Sequence, residues 1–184
     1  DIFLIKLFNK LEDARELSAM VNACSRMGKP DIALQLCMEI PSAKKKAEAI
    51  YAKYKQLIVS GLKFMHETEK LSGNGFVIIN ARDNVKETIV GTLASILSNS
   101  LIYEEGTIIT TMAYYDDKIK ISARSVGKPN RNLRELLANV LDKIGGEVGG
   151  HECAAGGIIT QDKEKEFIEN LRKNLEIEVV QISE

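Results

Sequence analysis

Residues 145–157 read Gly-Gly-Glu-Val-Gly-Gly-His-Glu-Cys-Ala-Ala-Gly-Gly and hold six of the chain's 13 glycines. Glycine has no Cβ, so the backbone N–H groups of such a stretch can converge on an anion, and a ligand can approach the main chain closely. His151 follows Gly149 and Gly150 directly and offers a donor to a phosphate oxygen. Ala154 and Ala155 keep the neighbouring surface small. Composition alone is equally consistent with a plain glycine turn beside a satisfied histidine. The string is neither a Walker phosphate loop nor a dinucleotide-binding glycine fingerprint, since neither carries a Gly-Gly-His core.

The segments on either side alternate between strand and helix patterns. Upstream, Asn132 and Glu135 have capping-box spacing, and Leu133, Leu136, Leu137, Val140, Leu141 and Ile144 form a helical stripe that stops at Gly145-Gly146. Before it, Thr107–Tyr114 and Lys118–Arg124 read as strands joined by the tight turn Tyr115-Asp116-Asp117. Side chains alternate along a strand, so Lys118, Lys120, Ser122 and Arg124 share one side, with Ile119 and Ile121 on the other. Arg124 leaves the strand end at a position suited to bidentate phosphate contact. Ser122 points the same way, and Ser125 opens the following loop. Phe76–Asn80 is an earlier apolar strand. Asn84 with Glu87 predicts a second capping box, opening a helix with Ile89, Val90, Leu93 and Leu97 inward. Downstream, Gly157–Thr160 reads as a strand, Lys163–Leu175 as a helix with Phe167, Ile168 and Leu171 inward, and Ile177–Ile182 as a last strand. The fold expected is α/β, a mixed sheet of about five strands with flanking helices.

Residues 1–72 predict a helical arm instead. Asp13 and Glu16 have capping-box spacing ahead of Leu17, Met20, Val21 and Cys24. Gly28 and Pro30 break that helix, and Pro30 can open a short one through Cys37. Pro41-Ser42 marks the start of one long amphipathic connecting helix running to about Lys70, roughly 40 Å at 1.5 Å per residue. Ser72-Gly73-Asn74-Gly75 reads as the linker between the arm, 1–72, and the α/β domain, 73–184.

The bulk properties narrow the function classes. The chain has 184 residues, 45% of them apolar and 28% charged, which suits a globular protein with a sizeable core. No apolar run reaches the ~18 residues of a membrane span. No signal peptide is read, and the start at Asp1 rather than Met leads us to expect a trimmed chain. The three widely spaced cysteines, Cys24, Cys37 and Cys153, fit a reducing cytoplasm, and zinc is not expected, since there are two histidines and neither is near two cysteines. The net charge is −1, yet residues 118–134 carry Lys118, Lys120, Arg124, Lys128, Arg131 and Arg134 without an acid. Such a patch can steer a phosphate ligand, although charge alone favours a solvated face. Aromatic content is 5% with no tryptophan, so a base-stacking platform is not expected and recognition should rest on the phosphate backbone.

Arg-Ser at a strand end, a helix of about a dozen residues, then Gly-Gly-His-x-x-Ala-Ala-Gly resembles the DHH-associated domain. This is the C-terminal substrate-binding domain of the DHH phosphoesterase superfamily, and the resemblance covers about residues 74–175. The superfamily includes RecJ single-strand exonucleases, oligoribonucleases, cyclic-dinucleotide phosphodiesterases and a C-terminal domain of alanyl-tRNA synthetase. Val21-Asn22-Ala23-Cys24-Ser25-Arg26-Met27-Gly28 resembles the Asn-Ala-x-Gly-Arg-x-Gly segment of the RecJ type, with Ser25 where the family has glycine and a backbone turn therefore expected to change. The abundance of Ile, Lys and Glu is similar to the archaeal RecJ-like branch.

The resemblance implies that Asn22, Arg26, Ser122, Arg124, Ser125, Gly149, Gly150 and His151 bind substrate. Arg26, Ser122 and Arg124 would grip the terminal phosphate of a 5′ end, and Gly149-Gly150-His151 would hold the backbone near the scissile bond. It implies single-stranded nucleic acid as ligand and hydrolysis assisted by two manganese or magnesium ions in an upstream DHH catalytic domain. The Asp-His-His string that would hold them is absent here, so no catalytic or metal residue is expected in this chain. His66, beside Glu67 and Glu69, reads as a solvated surface residue, and Asp116-Asp117 as a turn. Alternatives within the superfamily are a catalytically inactive replication adaptor that binds the GINS assembly and a phosphodiesterase for small substrates. The Asn22–Gly28 segment argues against the second, and against an alanyl-tRNA synthetase tail.

Overall fold

The computed structural model describes residues 3–177. The chain forms two compact units that divide between Ser60 and Gly61. The first opens with an antiparallel two-stranded hairpin, β1 (Leu4–Leu7) and β2 (Lys10–Asp13), which turns through Phe8 and Asn9 at φ 48° and 58°. The sequence reading expected only helix here. Four-residue strands carry too little periodicity to stand out beside the helix that follows. Asp13 does cap that helix, α1 (Ala14–Arg26), and its carboxylate accepts from Arg15 N at 2.9 Å. Hydrogen bonding to Arg15 holds the Asp13 carboxyl below its ordinary range. Gly28 at φ 70° ends the turn, and Pro30 occupies the first position of α2 (Pro30–Cys37). Leu7, Cys24, Ile32, Ala33, Leu36, Ala43 and Ala47 form the core of this unit. The long helix α3 (Pro41–Glu67) starts and ends close to where its sequence pattern does.

The second unit contains a six-stranded mixed sheet in the order β3-β4-β5-β6-β8-β7. Its strands are β3 (Leu71–Gly73), β4 (Phe76–Asn80), β5 (Ile108–Tyr115), β6 (Lys118–Ser125), β7 (Glu147–His151) and β8 (Ala154–Thr160). Only β4 and β5 run parallel, and α4 (Glu87–Ser98) makes the crossover between them. Two strands were not foreseen. Ser72–Gly75, read as a linker, is the end of β3 and the turn of the β3–β4 hairpin, with Gly73 opposite Phe76. Glu147–His151, read as part of a glycine loop, is the edge strand β7. The strand expected at Ile177–Ile182 lies, beyond Ile177, outside the described residues.

One face of the sheet packs under α5 (Leu133–Ile144) and α6 (Glu164–Glu176). Ile119, Ile121, Ala123, Ala155 and Ile159 from the strands meet Leu133, Leu137, Val140, Leu141, Phe167 and Leu171. The opposite face carries α4, and the Thr111 hydroxyl reaches Val90 O and Ser122 O, each at 3.3 Å. The capping expectations divide. Asn132 caps α5 through Arg134 N and Glu135 N, and its amide donates to the Glu135 carboxylate at 2.9 Å. Asn84 does not cap α4: it belongs to a 3-10 turn, Arg82–Asn84, and bonds back to Ala81 O, which leaves Lys86 as a cap without a side-chain bond. We therefore expect Asn132→Ala to lower unfolding free energy by ~1 kcal/mol and Lys86→Ser to raise it by ~0.5–1 kcal/mol, both read by urea denaturation.

Candidate functional site

Strand pairing brings the two sequence motifs into single cross-strand rows. Arg124 on β6 lies opposite Ala154 on β8, and Ala154 lies opposite His151 on β7. The next row is Ser122, Gly156 and Gly149, and the one after is Lys120, Ile158 and Glu147. Directly opposed side chains emerge on the same face of a sheet. Arg124 and His151 thus face the same way, two strand spacings or roughly 10 Å apart. On this face α4 covers β5 and β6. Over β8 and β7 it is open: Ala154, Gly156 and Ile158 are half-buried, and Glu147, Gly149 and His151 are exposed. The result is a floor of small residues flanked by α4, with Arg124 and His151 at one end and Lys120 and Lys118, both exposed, toward the other.

The side chains at that end are held in place. Ser122 is 5% exposed and sits beneath α4. Arg124 donates from Nε to Ser95 Oγ at 3.0 Å and from Nη1 to Ala123 O and Ala155 O at 2.7 and 3.3 Å. The bidentate phosphate contact expected of Arg124 would compete with Ser95 if made through the Nε edge. Sequence reasoning missed Ser95 and Gly91. A Cβ on Gly91 would stand 3.3 Å from Ser122 Oγ and 3.6 Å from Arg124 Nη2, so this glycine lets α4 lie against both. Their signal was available in the four-residue spacing of two small residues on α4, beside its apolar stripe.

At the other end of the row, the β7–β8 turn is tied down on both sides. Glu152 O accepts from Leu133 N at 2.9 Å, at the start of α5, and Cys153 O accepts from Ser125 N at 3.2 Å. The Cys153 N–H points at His151 Nδ1, 3.4 Å away. An accepting Nδ1 places the proton of a neutral imidazole on Nε2, which then serves as a donor. The glycines separate into two groups. A Cβ on Gly150, Gly156 or Gly157 would meet backbone oxygen at 2.4, 2.8 or 2.7 Å respectively, so close strand packing requires them. A Cβ on Gly149 would meet nothing within 4 Å. Packing gives Gly149 no reason to be glycine.

Other expected residues lie elsewhere. Ser125 opposes Ile108 of the core and faces α5, away from Arg124, with a buried Oγ that has no hydrogen-bond partner among the described residues. Asn22 and Arg26 pair with each other along α1, Arg26 Nε donating to Asn22 Oδ1 at 3.2 Å, within the first unit. Ser25 is helical and bonds back to Val21 O. The basic stretch is also divided. Arg131 donates to Asn174 O and Ile177 O, capping the negative end of α6. Lys128 and Arg134 are exposed. His66 is exposed on α3, and among the described residues no group of three or more His, Cys, Asp or Glu side chains could hold a metal ion. The residues present do not form the two-metal centre that the resemblance implies. Nor, among the described residues, is any helix long and apolar enough to cross a membrane.

Comparison with known proteins fits this geometry. The model of the DHHA1 domain matches residues 74–176. The chain belongs to the DHHA1 domain family. It is 29% identical over 175 residues to the protein MJ0831 of Methanocaldococcus jannaschii, covering 93% of this chain and 37% of that one. Among solved structures, RecJ from Thermus thermophilus in complex with Mg2+ superposes with a TM-score of 0.67 at 16% identity, over 88% of this chain and 25% of RecJ. CDC45 from Entamoeba histolytica superposes at 0.63 and 10% identity, over 94% of this chain and 40% of its own. At these identities the likeness is one of fold. The DHHA1 chain spans well under half the length of each, and the Arg124–His151 rows fall inside the matched segment.

Two substitutions separate packing from surface in this DHHA1 domain. Gly156→Ala, which forces a Cβ against Ile121 O, should destabilise by ~1–3 kcal/mol, whereas Gly149→Ala should leave stability within ~0.5 kcal/mol. Urea denaturation of the two variants checks the contrast.

Proposed function

We propose that this chain is the substrate-binding part of a RecJ-like nuclease that acts from the 5′ end of single-stranded nucleic acid, and that the face of β6, β8 and β7 seats the terminal phosphate. The observation that carries this reading is the row Arg124–Ala154–His151. It sets a guanidinium and an imidazole donor on either side of a residue too small to obstruct a ligand. A phosphate carries charge on several oxygens, and charge-assisted bonds from two directions fix its position. Ser122, in the neighbouring row, would join Arg124 in the grip. Gly149, on the same face, would leave room for a sugar-phosphate backbone beside His151. Lys120 and Lys118 continue the same face at ~7 Å per two residues and would add electrostatic hold on following phosphates.

Arg26 with Asn22 would bind substrate on the arm, and Ser125 would act through the loop it precedes. Hydrolysis would take place in an upstream DHH domain, on manganese or magnesium ions that activate water. On this reading the chain binds and orients, the protein works in the cytoplasm, and the cutting groups lie outside these residues. The fold shared with CDC45 as well as RecJ supports a second reading, a RecJ-like adaptor without catalysis that binds replication proteins such as the GINS assembly. A small-substrate phosphodiesterase would use the same phosphate row.

The test uses the full-length gene product and fluorescent single strands that end in either 5′-phosphate or 5′-hydroxyl. Wild type should prefer the phosphate by about tenfold or more, and Arg124→Ala should remove the preference. Equal affinity of wild type for both ends would refute the terminal-phosphate role. Affinity should fall steeply between 50 and 200 mM salt if several phosphates are held, on the order of tenfold or more. Release of nucleotides with Mn2+ or Mg2+ distinguishes the nuclease from the adaptor, and dinucleotide substrates distinguish the small-substrate enzyme. Gly149→Leu should weaken strand binding several-fold while thermal unfolding stays unchanged, because its side chain would rise into the open floor.

A further inference from the structure

We propose that Ser95 is a positioning residue that sets which way the Arg124 guanidinium faces, and that α4 is the element on which terminal-phosphate selectivity depends. The inference rests on the phosphate-binding reading of Arg124. Arginine has a long stem, and a guanidinium without fixed partners samples many rotamers. Here it is held from two sides. Ala123 O and Ala155 O receive Nη1 from the sheet, and Ser95 Oγ receives Nε from the helix. The two carbonyls alone leave rotation about the stem, whereas a third partner on another element fixes the plane.

Ser95 can hold this orientation because its own hydroxyl is directed. Ser95 Oγ donates to Gly91 O at 3.0 Å, one helical turn back, so its lone pairs face Arg124 Nε. Gly91 completes the device. It has no side chain where α4 approaches Ser122 and Arg124, so the helix sits close enough for the 3.0 Å bond. The chain Gly91 O, Ser95 Oγ, Arg124 Nε runs from a helix backbone to the guanidinium. None of these groups comes from the Gly-Gly-His hairpin, so two independent elements must be in register for the row to present its charge correctly.

The experiment compares Ser95→Ala, Ser95→Thr and Arg124→Ala in the full-length gene product, measuring affinity for 5′-phosphorylated and 5′-hydroxyl single strands. Ser95→Ala should reduce the phosphate preference by about tenfold, with less than a twofold change for the hydroxyl end, because only orientation of the charge is lost. Ser95→Thr keeps a hydroxyl that bonds back to Gly91 O and should restore most of the preference. Thermal unfolding of each variant accompanies the binding data. The proposal is overturned if Ser95→Ala keeps the wild-type preference while Arg124→Ala loses it. It is also overturned if Ser95→Ala weakens both ends equally, which would mark Ser95 as structural. If Arg124→Ala also keeps the preference, the phosphate reading itself fails.

Discussion

Strands β6, β8 and β7 approach one another so closely that a methyl group at Gly156 or Gly157 would collide with a neighbouring backbone carbonyl. That constraint locks their register, because a shift by one residue would put a side chain where only hydrogen fits and would turn each face over. The locked register sends Ile119, Ile121, Ala123, Ala155 and Ile159 toward α5 and α6 to build the core. The same register sends Ser122, Arg124, Gly149 and His151 to the other face. Core and candidate site are therefore two sides of one pairing scheme.

Helix α4 adds the second constraint. It meets the sheet through buried Ile89, Val90, Leu93 and Ala94, yet it presents Gly91 and Ser95 toward β6. A helix apolar on every inward position would seal Ser122 and Arg124 behind side chains. The small pair instead keeps a polar seam between helix and strand. Dispersion and burial hold the helix down, and two hydrogen bonds along the seam orient the charge.

Much of this was legible in the residues. Strands β4, β5 and β6 and helices α3, α5 and α6 follow hydrophobic periodicity, because in each a continuous apolar stripe meets a core. Asn132 was readable as a cap because nothing else competes for the α5 N-terminus, whereas the 3-10 turn at Arg82–Asn84 drew Asn84 away from α4. β7 escaped notice because Gly149 and Gly150 have poor strand propensity, and only pairing with β8 makes them a strand. Strands β1, β2 and β3 are too short for a period to show. At the site, Arg124, Ser122 and His151 were visible from motif spacing, and the shared face of Ser122 and Arg124 from strand alternation, but that His151 joins this face was not, since register is a long-range property. Ser125, read as opening a loop, is the last residue of β6, one step along the strand from Arg124 and so on the other face. Arg131 looked like part of a phosphate patch because charge in sequence says nothing of the helix end it caps.

The four glycines of the β7–β8 hairpin, Gly149, Gly150, Gly156 and Gly157, have a consequence for motion. Each glycine in a strand loses more chain entropy on folding than alanine would, on the order of 0.5–1 kcal/mol. Among the described residues β7 also pairs on one side only. The proposed phosphate platform thus lies on a glycine-rich edge of its sheet, fastened at the Glu152–Cys153 turn. Such a surface opens locally at little energetic expense while the buried strands stay closed. A ligand seated there would stiffen it, so occupancy of the site would be written into the rigidity of the hairpin as well as into its contacts.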